Sequence, residues 1–180
     1  MEMKNGRKTL ALVDGASLHK CCAERGVHAV SAHALLKFLR RKIPNSGELL
    51  PPVITMLPNL AVNPIGRAFE QKGFEVVPSW TDGEADDFLL CSRIQAADPK
   101  KIGQIVMVGQ DHCYIRPLWE KYNQNVSICW FVADTVSNEG KPRIGRTLRR
   151  FLTCGLFTWV DMKPFIPELR HGDVQAINHK

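Results

Sequence analysis

Acidic side chains in three parts of the chain are the residues best suited to chemistry. Asp14 ends an apolar run, and Asp111 follows a second one. Asp86 and Asp87 lie between them, near the start of a helical pattern. Carboxylates are the ligands that Mg²⁺ and Mn²⁺ prefer, and such ions can activate water for phosphoryl displacement. Because carboxylates that converge without a cation repel each other, we expect Mg²⁺ or Mn²⁺ among them.

Each acid also has a purely structural explanation. Asp14 and Asp111 can each cap the helix that follows, and the run TDGEADD is typical of a helix N-terminus, where the helix dipole favours negative charge. The position of the acids after successive predicted strands favours a shared site. Asp86 and Asp87 cannot both face it, since neighbours on a helix diverge by about a quarter turn.

Strands and helices alternate along the chain and would position these acids. Apolar runs predict strands at 9–13, 53–57, 74–78, 104–108 and 126–132. Helical patterns lie between them, with N-terminal signals at Ser31, at Asn63–Pro64 and at Thr81 with Glu84. This order predicts an α/β three-layer sandwich around a central, mainly parallel five-stranded sheet. Ligands of such sheets bind at the carboxyl ends of the strands, where Asp14 and Asp111 lie.

The length of 180 residues predicts one domain, with a core over 8–132 and a C-terminal extension over 134–180. The extension breaks the alternation. It holds a basic segment at 141–150, a short helical pattern at 147–154 and a short apolar element at 156–160. Three roles stay open for it: closing over the sheet edge, extending a homodimer surface, or guiding a substrate.

The segments ALVDGAS, GEADDFLL and IVMVGQDHCYIRPL resemble the three signature segments of the NYN domain, a group within the PIN-like ribonuclease superfamily. The resemblance covers roughly residues 8–132. It matches Asp14, Asp86 and Asp111 to the three family acids, with Asp87 as the alternative to Asp86. It implies a PIN-like fold and a metal-dependent nuclease that prefers RNA to DNA, in which these acids hold Mg²⁺ or Mn²⁺ and water attacks a phosphodiester.

The chain departs from the family pattern at several positions. Ser17 replaces the usual Asn, and by the resemblance it would position water or a phosphate. Gly109–Gln110 replace Ser-Gly. Cys113 replaces a second Asp, and a neutral thiol supplies no oxygen ligand to Mg²⁺. His112 would contact a phosphate or be merely solvated. Asp134, after the last strand, would restore a fourth carboxylate or be a plain turn acid.

Positive charge predicts a polyanionic partner. The net charge is +6 and the pI is near 9.1. A C-terminal run of cations predicts a nucleic-acid-binding surface whose affinity falls with salt; its members are Lys141, Arg143, Arg146, Arg149 and Arg150. A second run at 37–42 is equally consistent with a solvated helix face.

Several function classes lack their motifs. The sequence has no GxGxxG, no GxxxxGK[ST] and no GxSxG. Its six cysteines lack CxxC spacing, and the N-terminus shows neither a signal-peptide core nor a membrane-length apolar run, so we expect a cytoplasmic protein with reduced thiols. Two hypotheses remain. One is an active metal-dependent ribonuclease, and the other is a PIN-like module that binds nucleic acid or a protein without cleavage.

Overall fold

The computed structural model describes residues 6–43, 47–79, 85–134, 140–142 and 144–170, without the side chains at 85 and 86. Three features of the sequence predictions lie outside what the structure describes. They are Arg143, the side chain of Asp86, and the capping signal formed by Thr81 and Glu84.

One sheet of parallel strands organises the chain. The strands are β1 Lys8–Val13, β2 Val53–Met56, β3 Glu75–Pro78, β4 Ile102–Val108, β5 Ser127–Val132 and β6 Thr158–Asp161. Their order is β3-β2-β1-β4-β5-β6, and each pairs with its neighbour in parallel. The α/β class is confirmed, because helices connect these parallel strands.

The prediction of five strands was wrong, because the C-terminal segment adds β6 to the sheet. Trp159 pairs with Trp130, and Asp161 pairs with Val132 of β5. None of the four residues of β6 is buried, as expected for a short edge strand. The apolar element predicted at 156–160 therefore becomes a strand only through its pairing with β5.

The helices are α1 Gly15–Ala23, α2 Ala32–Lys42, α3 Pro58–Ala61, α4 Pro64–Gln71, α5 Ala85–Ala96, α6 Ile115–Tyr122 and α7 Arg146–Thr153. Two predicted caps are confirmed. The Ser31 hydroxyl accepts from the amide of Ala34 at 3.3 Å, and Asn63 Oδ1 accepts from the amide of Ile65 at 2.8 Å. No helix in the described part of the chain is long and apolar enough to cross a membrane.

Two apolar cores cover the two faces of the sheet. Side chains alternate along β1, so Ala11 and Val13 join a core with α1 and α2, whereas Leu12 joins a core with α5, α6 and α7. A 3-10 helix at Lys163–Leu169 also packs on the first face, through the buried Ile166 and Leu169. The described helices thus form layers on both sides of the sheet, which is consistent with a three-layer sandwich.

Candidate functional site

Asp14 caps a helix and faces a shared site at the same time. It is the N-cap residue of α1, and its Oδ1 accepts from the amide of Ser17 at 2.8 Å. Only 6% of the residue is exposed. The other oxygen, Oδ2, accepts from the Tyr114 hydroxyl at 3.2 Å. The structural and the functional explanations of Asp14 therefore both fit the same geometry.

Tyr114 joins Asp14 to a second carboxylate. Its side chain is fully buried, and its hydroxyl lies 2.8 Å from Asp87 Oδ1 as well as 3.2 Å from Asp14 Oδ2. Burial raises the pKa of Tyr114 well above its usual value, and the charges of Asp14 and Asp87 raise it further. The phenol therefore stays neutral and has one proton to share between two carboxylates. The sequence assigns Tyr114 no role at this site, because a tyrosine near an acid has no distinctive spacing.

Asp87 is the helix acid whose side chain the structure places at this site. The family resemblance favours Asp86 at this position, but the side chain of Asp86 lies outside the described residues. Burial raises the pKa of Asp87, the Tyr114 hydrogen bond lowers it, and the negative charge of Asp111 raises it again. Positive charge placed near Asp87 would therefore stabilise its ionised form.

Asp111 approaches Asp87 from the end of β4. It caps the 3-10 helix His112–Tyr114, and its Oδ1 accepts from the amide of Cys113 at 2.9 Å. The ring atom Nδ1 of His112 lies 3.2 Å from the same oxygen, while the His112 side chain is 70% exposed. An oxygen of Asp87, an oxygen of Asp111 and the sulfur of Cys113 all lie within 4.8 Å of one another. This is a geometry that can hold a metal ion.

Cys113 brings a thiol into this group of acids. Cys91, one helical turn after Asp87, places its Sγ 3.9 Å from the carbonyl oxygen of Cys113, and both cysteines are free thiols. Contact with the Cys91 thiol raises the pKa of Cys113, as do burial and the charges of Asp87 and Asp111. The thiol is therefore protonated and is a poor ligand for a hard cation.

Gly109 has no side chain, so Asp14 and Tyr114 can pack close to its backbone. A Cβ at this position would lie 3.1 Å from the Cβ of Asp14 and 3.4 Å from Cε2 of Tyr114. The carbonyl of Gly109 accepts from Trp130 Nε1 at 2.9 Å, and the side chain of Gln110 donates to the carbonyl of Ala133. The departure from Ser-Gly thus leaves room for Tyr114 between the acids.

A cleft of about 1220 Å³ opens beside the acids. Asp14, Ser17, Asp87 and Asp111 all line it, and apolar residues from α3 and α4 line its other end. The structure therefore places Asp14, Ser17 and Asp111 along one cleft, with Asp87 as the helix acid that it describes.

Asp134 is paired with an arginine, and its role as a fourth carboxylate stays a prediction. Both its oxygens accept from Arg149, at 2.7 and 3.0 Å. Arg149 is therefore held in an ion pair whose two side chains are partly exposed. Arg146 and Arg150, on the same helix, are exposed, and so is Lys141. Within the predicted basic run, Arg149 therefore has a carboxylate neighbour, whereas Arg146 and Arg150 have different surroundings.

Comparisons with known proteins bring little further information. Neither a family model nor a curated protein matches the chain. Among solved structures, MAR1 ribonuclease from Caenorhabditis elegans is 11% identical with a TM-score of 0.36, covering 94% of this chain and 84% of that one. A protein described as a hydrolase of the isochorismatase family from Chromobacterium violaceum is 16% identical with a TM-score of 0.35, covering 94% and 96%. Similarities at this level support no conclusion about activity.

Proposed function

We propose that this chain is a PIN-like, metal-dependent nuclease that hydrolyses phosphodiester bonds in RNA. The observation that carries the proposal is the close approach of Asp87 and Asp111, whose oxygens lie within 4.8 Å of each other and of Cys113 Sγ. Asp14 is connected to this group through one tyrosine hydroxyl. Such an arrangement of acids at the carboxyl edge of a parallel sheet suits phosphoryl chemistry.

The donor set fits a hard divalent cation. Asp87 and Asp111 supply oxygens, while Asp14 and Asp87 share a single phenolic proton. A cation would offset the burial and the Asp111 charge, which both raise the pKa of Asp87. Mg²⁺ or Mn²⁺ is the proposed ion, since both prefer carboxylate and water ligands. When bound, such an ion supplies a Lewis acid and lowers the pKa of a coordinated water.

The residues around the acids have distinct proposed roles. Asp14, buried and held by the amide of Ser17, fixes the Tyr114 hydroxyl and through it the orientation of Asp87. The Ser17 side chain lines the cleft and would donate to a phosphate or a water. His112 is exposed beside Asp111 and would contact a phosphate.

Cys113 favours a second candidate function, a PIN-like module that binds nucleic acid or a partner protein without cleavage. The thiol stands where the family pattern has an acid, and its raised pKa keeps it neutral. The metal site then has one oxygen donor fewer than the resemblance implies. Net charge of +6 serves RNA binding equally well in both candidates.

Cleavage of a labelled single-stranded RNA in Mn²⁺, Mg²⁺ or Zn²⁺, beside the same sequence as DNA, tests the proposal. We expect Mn²⁺- or Mg²⁺-dependent cleavage of the RNA, reduced at least about 100-fold in Asp14→Asn, Asp87→Asn and Asp111→Asn. Asp98→Asn is the matched control, because Asp98 is exposed beyond the other end of α5 and its Oδ1 accepts from the amide of Lys100.

Three outcomes contradict the proposal in different ways. Equal cleavage by Asp87→Asn and Asp98→Asn would place the activity elsewhere or in a contaminant. Cleavage of DNA but not RNA would overturn the substrate class. Tight RNA binding with no cleavage in any of the three metals would support the second candidate.

A further inference from the structure

A second concave surface lies between α6 and α7, and we call it the α6–α7 groove. Its volume is about 670 Å³. Apolar side chains form its floor, namely Ile115, Trp119, Phe151 and Leu156. Arginines line it as well, and none of the described residues along it is acidic. A groove with an apolar floor and positively charged edges suits a ligand that combines flat apolar groups with negative charge.

Trp119 is the aromatic side chain that this floor offers to a ligand. It is 36% exposed. Tyr122 stacks on it with ring centroids 5.8 Å apart and an interplanar angle of 24°, and Phe151 meets it edge-on at 6.2 Å. Because two neighbours hold the indole, its orientation is set before a ligand binds. A preset aromatic surface lowers the entropy cost of stacking.

Arg146 and Arg150 supply the charge. They are four residues apart on α7, so their Cβ atoms lie about 6 Å apart along one face. Both are exposed, and among the described residues neither has an ion-pair partner. Arg149 between them is paired with Asp134. Arg116, also in the groove, is bonded to Glu120. Two successive phosphates of a single strand would match the spacing of Arg146 and Arg150.

One end of the groove lies close to the acidic site along the chain. Its residue Ile115 is the first residue of α6, directly after the 3-10 helix that Asp111 caps. The eight residues of α6 extend about 12 Å from that point. A strand of a few nucleotides can therefore lie in the groove while an adjoining phosphodiester reaches Asp87 and Asp111.

From these contacts we propose that the α6–α7 groove binds a segment of single-stranded RNA next to the phosphodiester held at the acids. One base stacks on Trp119, and Arg146 and Arg150 contact phosphates. This inference rests on the proposed function and names the part of its substrate that lies outside the acidic site. A single strand is required because the bases of a duplex are stacked on each other and unavailable to the indole.

Binding of a labelled single-stranded RNA of about ten nucleotides, measured by fluorescence anisotropy in EDTA, tests the groove separately from cleavage. For the double variant Arg146→Gln/Arg150→Gln we expect about tenfold weaker binding and a smaller salt slope, by about 1.4. Trp119→Leu should weaken binding about tenfold, and Trp119→Phe should retain most of it. Duplex RNA should bind more weakly than the single strand.

The matched control is Lys37→Gln/Arg40→Gln, which removes two exposed charges from α2. It should change RNA affinity less than about twofold. Equal weakening by both double variants would overturn the groove, since net charge alone would then explain binding. Preferred binding of an acidic, aromatic peptide, with no binding of RNA, would overturn it in favour of a protein partner. Thermal melting checks that each variant is folded. If Trp119→Leu does not fold, Trp119→Phe is measured in its place.

The two proposals fail in distinguishable ways. RNA binding that depends on the groove, without cleavage in any metal, would overturn the nuclease and leave the groove intact. Metal-dependent cleavage by the wild type, with normal RNA binding by Arg146→Gln/Arg150→Gln and Trp119→Leu, would overturn the groove and leave the nuclease intact.

Discussion

Acids stand at two places along the carboxyl edge of the sheet, and their neighbours differ. At the outer strands, Asp134 follows β5 and is paired with Arg149, while Asp161 of β6 accepts from backbone amides. At the central strands, Asp14 shares one tyrosine proton with Asp87, whose pKa is raised by burial and further by Asp111. The outer carboxylates accept from an arginine and from backbone amides, whereas the central ones are the proposed holders of a cation. A position at a strand end therefore does not by itself identify a functional acid.

Tyr114→Phe is expected to have the largest effect on stability, because it removes the proton that the central carboxylates share. Asp14 Oδ2 and Asp87 Oδ1 would then each lose the hydrogen bond from the Tyr114 hydroxyl. We expect the free energy of unfolding in EDTA to fall by about 2 kcal/mol, measured by urea denaturation. Tyr122→Phe is the matched control. Tyr122 is 37% exposed, and we expect a change below about 0.5 kcal/mol. Equal losses in both variants would show that the shared proton is unimportant.

Cys113→Asp should strengthen the central site by adding an oxygen ligand beside Asp87 and Asp111. We expect Mn²⁺ to bind at least about tenfold more tightly by calorimetry, with a comparable gain in RNA cleavage. Cys113→Ser replaces the thiol with a neutral hydroxyl, so it should leave Mn²⁺ affinity within about twofold of the wild type. Unchanged affinity in the Asp variant would mean that the 4.8 Å group is not where the cation binds.

The pH dependence of stability should separate the central acids from the outer ones. Burial, and after it Asp111, raises the pKa of Asp87 above 3.8 in the folded state. Stability is therefore fully present below pH 3.8 and is partly lost as the pH rises through the folded pKa. Asp87→Asn removes this loss, so its melting temperature should exceed that of the wild type at pH 7 and match it at low pH. Mn²⁺ should raise the melting temperature of the wild type only.

Two observations would contradict this expectation. An Asp87→Asn variant that melts below the wild type at pH 7 in EDTA would show that the ionised carboxylate stabilises the fold. A similar pH profile for Asp98→Asn would show that the effect is not specific to the central acids.

The Asp134–Arg149 ion pair should have the smallest effect. The side chains are 37% and 50% exposed, so a double-mutant cycle with Asp134→Asn and Arg149→Gln should give a coupling of about 0.5 kcal/mol. Metal-dependent cleavage should stay within about twofold of the wild type. Loss of cleavage in Asp134→Asn alone would return Asp134 to the catalytic group and remove the contrast between the two sets of acids.

Local features of the sequence predicted much of the fold. Ser31 and Asn63–Pro64 identify helix starts because their side chains and ring act on adjacent backbone. The apolar runs of β1 and β4 identify buried strands, and the acids after them identify the edge where Asp14 and Asp111 lie. All of these signals depend on residues close together in the chain.

Tertiary structure alone decided the features that depend on distant residues. Pairing with β5 makes β6 a strand, although its own residues are not buried. The hydrogen bond from Tyr114 places the Asp87 side chain at the site. The ion pair with Asp134 distinguishes Arg149 from Arg146 and Arg150. The spacing of acids and cations in the sequence supplied the candidates. Their partners were decided by helix orientation and strand register, because these determine which distant side chains come within hydrogen-bonding distance.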